Sequence, residues 1–386
     1  MLNKIVIYEY DKKNREYIIS ELEKKKYHFC IIPLKDEINI KISNMPQAIT
    51  GVCIDITPYF RDDERSILYV DVVEKLIDVI TENIPFFILI DKRYTYGLKD
   101  LLIHKIKKIV SLEKEFHLTI PESRDIVSLT DKDFVEIIDE INKELIGNQG
   151  FKKRLEQELK KYRVFNQLGY QPIFSVLICG NSGIGKTEVA RILARALSSE
   201  EPFIKINFGN YSDQNALSSL IGSPRGYVGS SKGELSDKLA NSNSKIILID
   251  EFEKSNKQVQ NFFLQLLEDG VFTDSLGRDY DLNRYIIVFT ANLSKQKIPE
   301  KISPELLSRF NLKYSFSELS EEEKKLYIVK RTTKILNDIQ NKLNVHLDEH
   351  TKSRIIDIDC KKYINMRDIN AEIMKRISDV IYSEIY

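Results

Sequence analysis

The chain has 386 residues, enough for two or three domains that each bury their own core. Its 58 Lys and Arg equal its 58 Asp and Glu, so no global field favours nucleic acid or an acidic membrane surface as a partner. Cys30, Cys53, Cys179 and Cys360 are scattered without CxxC spacing, no apolar run approaches the ~20 residues of a membrane span, and MLNKIVIYEY has no cleavable apolar region, so a soluble, cytoplasmic protein with buried free thiols is expected.

In chain order, residues 4–8 (KIVIY) and 29–33 (FCIIP) read as buried strands on either side of a helical pattern at 12–26. Residues 51–56 (GVCIDI), 86–91 (FFILID) and 106–112 continue as strands, with a helical pattern near 67–82. This βα rhythm predicts a doubly wound parallel α/β domain over 1–115. Its pattern looks flavodoxin-like or receiver-like: Glu9 and Asp11 would follow the first strand and Asp55 would end the third. The lysine and proline a receiver needs after its fifth strand are missing near 109–112, so the domain is expected to bind or to control assembly without chemistry of its own. Residues 116–132, with a proline and several Ser and Thr, read as a linker.

A second α/β block is predicted over 133–316, with strands at 175–179, 203–207, 245–249 and 285–290 and helices between them. From 317 to 386 only amphipathic helical patterns remain, as in a helical lid. Within the block, SVLICGNSGIGKTEVARILARAL fits GxxxxGK(S/T) in the context that gives the motif meaning: apolar strand, glycine loop, helix. Gly180, Gly183 and Gly185 let the backbone N–H groups of Ser182, Ile184 and their neighbours converge on phosphate oxygens, ahead of the helix that begins near Glu188. Lys186 would reach the β- and γ-phosphates, and Thr187 would ligate magnesium. Asp250 and Glu251 end the apolar run IILIDE; the first would hold magnesium or its waters and the second would polarise an attacking water. Asn292, after the strand YIIVFTA, would orient that water. The histidines show no metal-ligand spacing backed by other ligands.

In these motifs, from residue 145 to 386, the sequence resembles the AAA+ ATPase module of the Clp-type unfoldases, as found in their second ring and in single-ring members. Ile146 in LIGNQ (145–149) is similar to the residue that packs on adenine in that family. LIGSPRGYVGSSKGELSDKL (220–239) resembles the pore-loop segment, with Tyr227 and Val228 at the substrate-gripping positions between Gly226 and Gly229. The resemblance makes 274–280 a second pore loop, Arg309 in PELLSRF the arginine finger that reaches a neighbouring subunit, and Arg367 in YINMR the lid sensor. It implies an ATPase using ATP and magnesium, a homo-oligomer with six the family number, and a protein substrate. Between Asn292 and the arginine finger, SKQKIPEKIS lacks the Ile-Gly-Phe type of tripeptide, so docking to a Clp peptidase is not expected. A first ATPase ring and an inserted coiled coil are not expected either. The alternatives are a receiver-regulated AAA+ switch and a defence-type scaffold ATPase that does not thread; the former lacks a Gly-Ala-Phe-Thr-Gly-Ala loop and a helix-turn-helix tail.

Overall fold

The computed structural model describes residues 5–30, 50–60, 85–95, 104–118, 124–197, 203–211, 215–223, 233–343 and 347–385, with Val73, Leu98, Leu102 and Val345 singly. The chain forms two compact units, Met1–Glu122 and Ser123–Tyr386.

The first unit is built on five parallel strands: β1 (Ile5–Tyr10), β2 (Tyr27–Cys30), β3 (Gly51–Asp55), β4 (Phe86–Asp91) and β5 (Ile106–Ser111). Their β-branched and aromatic runs suit a sheet covered on both faces, and the period-two pleat divides them cleanly. Ile7, Val52, Ile54, Ile88 and Ile90 fill one core. Tyr10, Cys53 and Leu89 point the other way, onto Ile18 and Leu22 of the helix Arg15–Lys24. The helix expected near 67–82 lies, apart from Val73, outside the described residues.

The strand order is β2-β3-β4-β1-β5. A flavodoxin or receiver sheet places its first strand between the second and third; here β1 lies between β4 and β5, so that part of the expectation is corrected. A βα rhythm fixes parallel pairing and the hand of each crossover, but not the side of the growing sheet to which each strand is added. The stretch 116–132 contributes to both cores. Phe116 packs edge-on against Tyr8, Tyr27 and Phe87, and Ile126, Val127 and Leu129 are buried in the second unit.

The second unit carries β6 (Phe174–Cys179), β7 (Ile204–Asn207), β8 (Ile246–Asp250), β11 (Ile286–Ala291) and β12 (Leu312–Ser315), all parallel, in the order β12-β6-β11-β8-β7. Counted from its own first strand, each of the two sheets therefore runs 5-1-4-3-2. Strand β12 escapes the apolar-run criterion because LKYS is short and half polar. Between β8 and β11, β9 (Val271–Thr273) and β10 (Asp279–Asp281) pair as a hairpin. The segment expected as a second pore loop is the turn of this hairpin plus the start of β10. The Asp274 carboxylate accepts from the Leu276 and Arg278 amides and pairs with the Arg278 guanidinium at 2.9 Å. Tyr280 stacks on Phe272 at 4.9 Å. The lid consists of the helices Glu321–Leu343, Glu349–Ile356 and Met366–Ile385 around Ile328, Ile355, Ile369 and Ile373.

Candidate nucleotide site

The site lies where β6, β8 and β11 end. Strand β6 runs straight into the loop 180–187, and the helix Glu188–Leu197 follows at once. The loop needs its glycines at the two positions where space and backbone angle agree. Gly180 has φ +135°, and a Cβ there would meet the Phe316 carbonyl oxygen at 2.8 Å; Gly183 has φ +78°, and a Cβ there would meet Asn365 at 3.1 Å. Ile184 is buried and anchors the loop on the core, whereas Ser182 is exposed beside it. Glu188, in the first turn of the helix, pairs with Arg191 and Arg195, so its carboxylate is taken up on the helix surface rather than at the loop.

Lys186 is the central group. It is 6% exposed, and its ammonium donates to the carbonyls of Gly180 (2.8 Å) and Asn181 (2.6 Å) and to the Asn292 amide oxygen (2.9 Å). Burial lowers its pKa to about 8, although Glu253 and Asp250 oppose the shift; the nearby Arg367 charge adds to the lowering. The structure thus joins Lys186 to Asn292, two residues 106 positions apart. Burial also pushes the Cys179 thiol at the end of β6 up to about 12, and Cys53, Cys179 and Cys360 are buried outside any disulfide.

Asp250 ends β8. One carboxylate oxygen accepts from the Thr290 hydroxyl, and the other pairs with Lys205 at 3.1 Å. Glu251 sits at φ +57°, a strained angle for a residue with a side chain, which turns the carboxylate out of the strand line. It pairs with Lys254 at 2.6 Å and lies so close to Gly209 that a Cβ there would meet its Oε2 at 2.3 Å. Lys205, Thr290, Lys254 and Glu253 were not singled out from sequence. Lys205 carries no signal in the sequence: it lies two residues before Asn207, and only the register of β7 on β8 sets Asn207 beside Asp250.

The lid meets the loop directly. The Met366 amide donates to the Gly183 carbonyl at 3.0 Å, and Asn365 caps this helix by accepting from the Asp368 amide at 3.0 Å. Asn-Met therefore keeps the helix N-terminus at the phosphate loop, with Arg367 in its first turn, exposed. On the other side, Gly147 (φ +71°) and Asn148 (φ +50°) form the turn after half-buried Ile146, and Gly147 packs on Leu319 and Glu323. The Asn148 amide nitrogen is buried with no acceptor.

Arg309 is not brought to this site. Its carbonyl accepts from the Ser175 hydroxyl near the start of β6, and its guanidinium pairs with Glu268 at 3.0 Å. From Ser175 to Gly180 the strand covers about 16 Å at its usual rise per residue. Tyr227 and Val228 lie outside the described residues.

The donor set fits a nucleoside triphosphate with magnesium. Glycines free loop N–H groups, a buried cation is held only by neutral oxygens, two acids flank it, and an orphaned amide waits beside Ile146. A parallel sheet of order 5-1-4-3-2 with a phosphate loop after its first strand, Asp-Glu after its third and a helical lid defines a P-loop ATPase module of the AAA+ class. Residues 171–345 match the family model described as AAA domain (Cdc48 subfamily). The chain is 28% identical over 301 residues to the ATP-dependent Clp protease ATP-binding subunit ClpE of Lactococcus lactis, covering 72% of this chain and 39% of that protein. It is 26% identical over 389 residues to the chaperone protein ClpB of Malacoplasma penetrans, covering 95% of this chain and 54% of that protein. Among solved structures, Hsp104 in its closed state with casein matches with TM-score 0.58 and 15% identity, over 99% of this chain and 88% of that one. The chain carries an AAA+ ATPase module similar to those of the Clp proteins, and it spans about half or less of the length of these curated relatives.

Proposed function

We propose that this chain hydrolyses ATP as one subunit of a homo-oligomeric ring, most simply a hexamer, and uses the cycle to remodel or thread a protein in the cytoplasm. The observation that carries the reading is the Lys186 ammonium, buried among glycine-loop carbonyls and tied to Asn292, with Asp250 close enough to act on its charge. On nucleotide binding, Lys186 would exchange two neutral carbonyls for β- and γ-phosphate oxygens, a stronger charge-assisted contact. Asn292, released from Lys186, would orient the attacking water, and Glu251, released from Lys254, would accept its proton. Magnesium, when held by Thr187 and Asp250, supplies charge neutralisation on the phosphates.

The position of Arg309, about 16 Å down the strand from the loop of its own chain, supports a role toward a neighbour's γ-phosphate. Turnover then requires assembly. Arg367, near enough to bear on the Lys186 charge and carried on the helix that touches Gly183, would couple nucleotide state to the lid. Tyr227 and Val228 would grip the polypeptide. The interval after Asn292 is taken up by a short turn, Lys295–Lys297, and the helix Ile298–Lys301, which supports a machine without peptidase docking. Among the described residues no helix is long and apolar enough to cross a membrane.

A receiver-type switch at Asp55 gains no support, because that carboxylate is 1% exposed and already accepts from Tyr10, Arg15 and the Thr57 amide. The test is a Glu251→Gln trap, added with ATP to a cell extract and analysed by mass spectrometry. Captured polypeptides lost on adding Tyr227→Ala are expected. A trap that assembles, holds ATP and retains no polypeptide would remove the remodelling reading.

A further inference from the structure

The two sheets share more than an order of strands. With Asp55 of β3 set on Asp250 of β8, the registers coincide across the sheet. Asp55 pairs with Leu89, which pairs with Tyr8; Asp250 follows Ile249, whose partner Phe289 pairs with Leu177, placing Asp250 level with Thr290 and Ile178. A check independent of that choice comes from the far edge. The last paired row of β1 and β5 is Glu9 with Ser111, and that of β6 and β12 is Cys179 with Ser315, which are the same row under the alignment. Tyr10 then occupies the position of Gly180, and Asp91 that of Asn292.

Among the described residues, this corner of the first unit leaves no opening for phosphate. Eight residues, five of them outside the Gly-Lys-Thr core of the motif, separate β6 from its helix, whereas Asp11, Lys12, Lys13 and Asn14 alone separate β1 from the helix Arg15–Lys24, and none is glycine. The acids are spent on partners. Asp55 accepts from the Tyr10 hydroxyl (2.8 Å), the Thr57 amide (3.0 Å) and Arg15 (3.2 Å); Asp91 takes the Arg93 amide and its guanidinium, the closest contact being 2.6 Å. Both acids are 1% exposed, and the Thr57 hydroxyl bridges them by accepting from the Asp91 amide at 2.9 Å while touching Tyr10 at 3.2 Å.

We infer that the N-terminal unit is a second copy of the ATPase fold whose nucleotide corner has been sealed by Tyr10, Asp55, Arg15 and Asp91, so that the chain binds one nucleotide. This rests on the nucleotide reading of the second unit. The experiment counts sites on the full chain by titration with ATPγS and magnesium, in a calorimeter and by equilibrium dialysis. One site per chain is expected, and none in Lys186→Ala, with circular dichroism confirming that the variant is folded. Two sites in the unaltered chain, or one retained in Lys186→Ala, would overturn the sealed corner alone. No site in the unaltered chain would overturn the nucleotide reading of the second unit, and the contrast with it.

Discussion

Asp55 and Asp250 end equivalent strands of two sheets with one strand order, yet they have opposite surroundings. Asp250 keeps its side chain 16% exposed and pairs with Lys205, itself 41% exposed, so its carboxylate can exchange partners at little cost. Asp55 is locked by three donors with almost no access to water. A buried carboxylate with both oxygens held by fixed donors stabilises a fold; one with a loosely held partner is free for a metal or substrate. The same scaffold thus divides into a corner committed to stability and a corner left open for chemistry.

That division is broken most directly at Lys186. Lys186→Ala should abolish ATP binding and turnover, a loss of at least about a hundredfold, because no other described cation enters the loop. Asp91→Asn, at the position equivalent to Asn292, should leave turnover within about twofold, because its carboxylate is bound to Arg93 within the sealed corner. A comparable loss of turnover from both substitutions would mean that the two corners act alike. Glu251→Gln should lower turnover by about 10²–10³ while ATP affinity stays within a few-fold, read by single-turnover assay beside a binding titration.

The Asp55→Ala change reverses the pattern. It strands the Tyr10 hydroxyl and the Thr57 amide in a buried site and takes the carboxylate from the half-buried Arg15 guanidinium, which should together cost about 3 kcal/mol. Hydrogen exchange of β1, β3 and β4 would report the loss, with ATP turnover of the folded chain unchanged.

A pH titration separates the corners in another way. Lys186 in the empty loop titrates at about 8, below the ordinary lysine value. Phosphate oxygens would raise that pKa in the complex, so binding takes up a proton between the two values. Affinity for ATPγS should therefore be flat to about pH 7.5 and then fall about tenfold per pH unit. An affinity independent of pH up to 9.5 would show that Lys186 does not meet the phosphates.

How much of this was legible depended on whether a feature is local in the chain. The phosphate loop, Asp250 and Glu251 could be read because strand, glycines and helix follow one another without interruption. Lys205 was not, because its pairing with Asp250 depends on the register between β7 and β8. The order of the first sheet was missed for a related reason: GVCID and FFILID announce buried strands, but nothing in them says that β1 will lie beside β4. The Asn365-Met366 pair ahead of Arg367 showed nothing of its role in sequence: it is a helix cap seated on Gly183.

The finest comparison pits two hydroxyls against each other. Tyr10 donates to Asp55, and Thr290 donates to Asp250; both residues are buried. Burial, followed by the Asp55 charge, pushes the Tyr10 hydroxyl pKa well above the ordinary range, so it stays a proton donor at any working pH. Tyr10→Phe removes one of three donors to Asp55 and should cost about 1 kcal/mol of stability in the first unit, with turnover unchanged. Thr290→Val removes a donor from the acid proposed to hold magnesium. Its stability cost should be similar, but its main effect should be a higher magnesium requirement for turnover. If the two variants traded these outcomes, with Tyr10→Phe altering the magnesium dependence, the sealed and open corners would have been assigned to the wrong units.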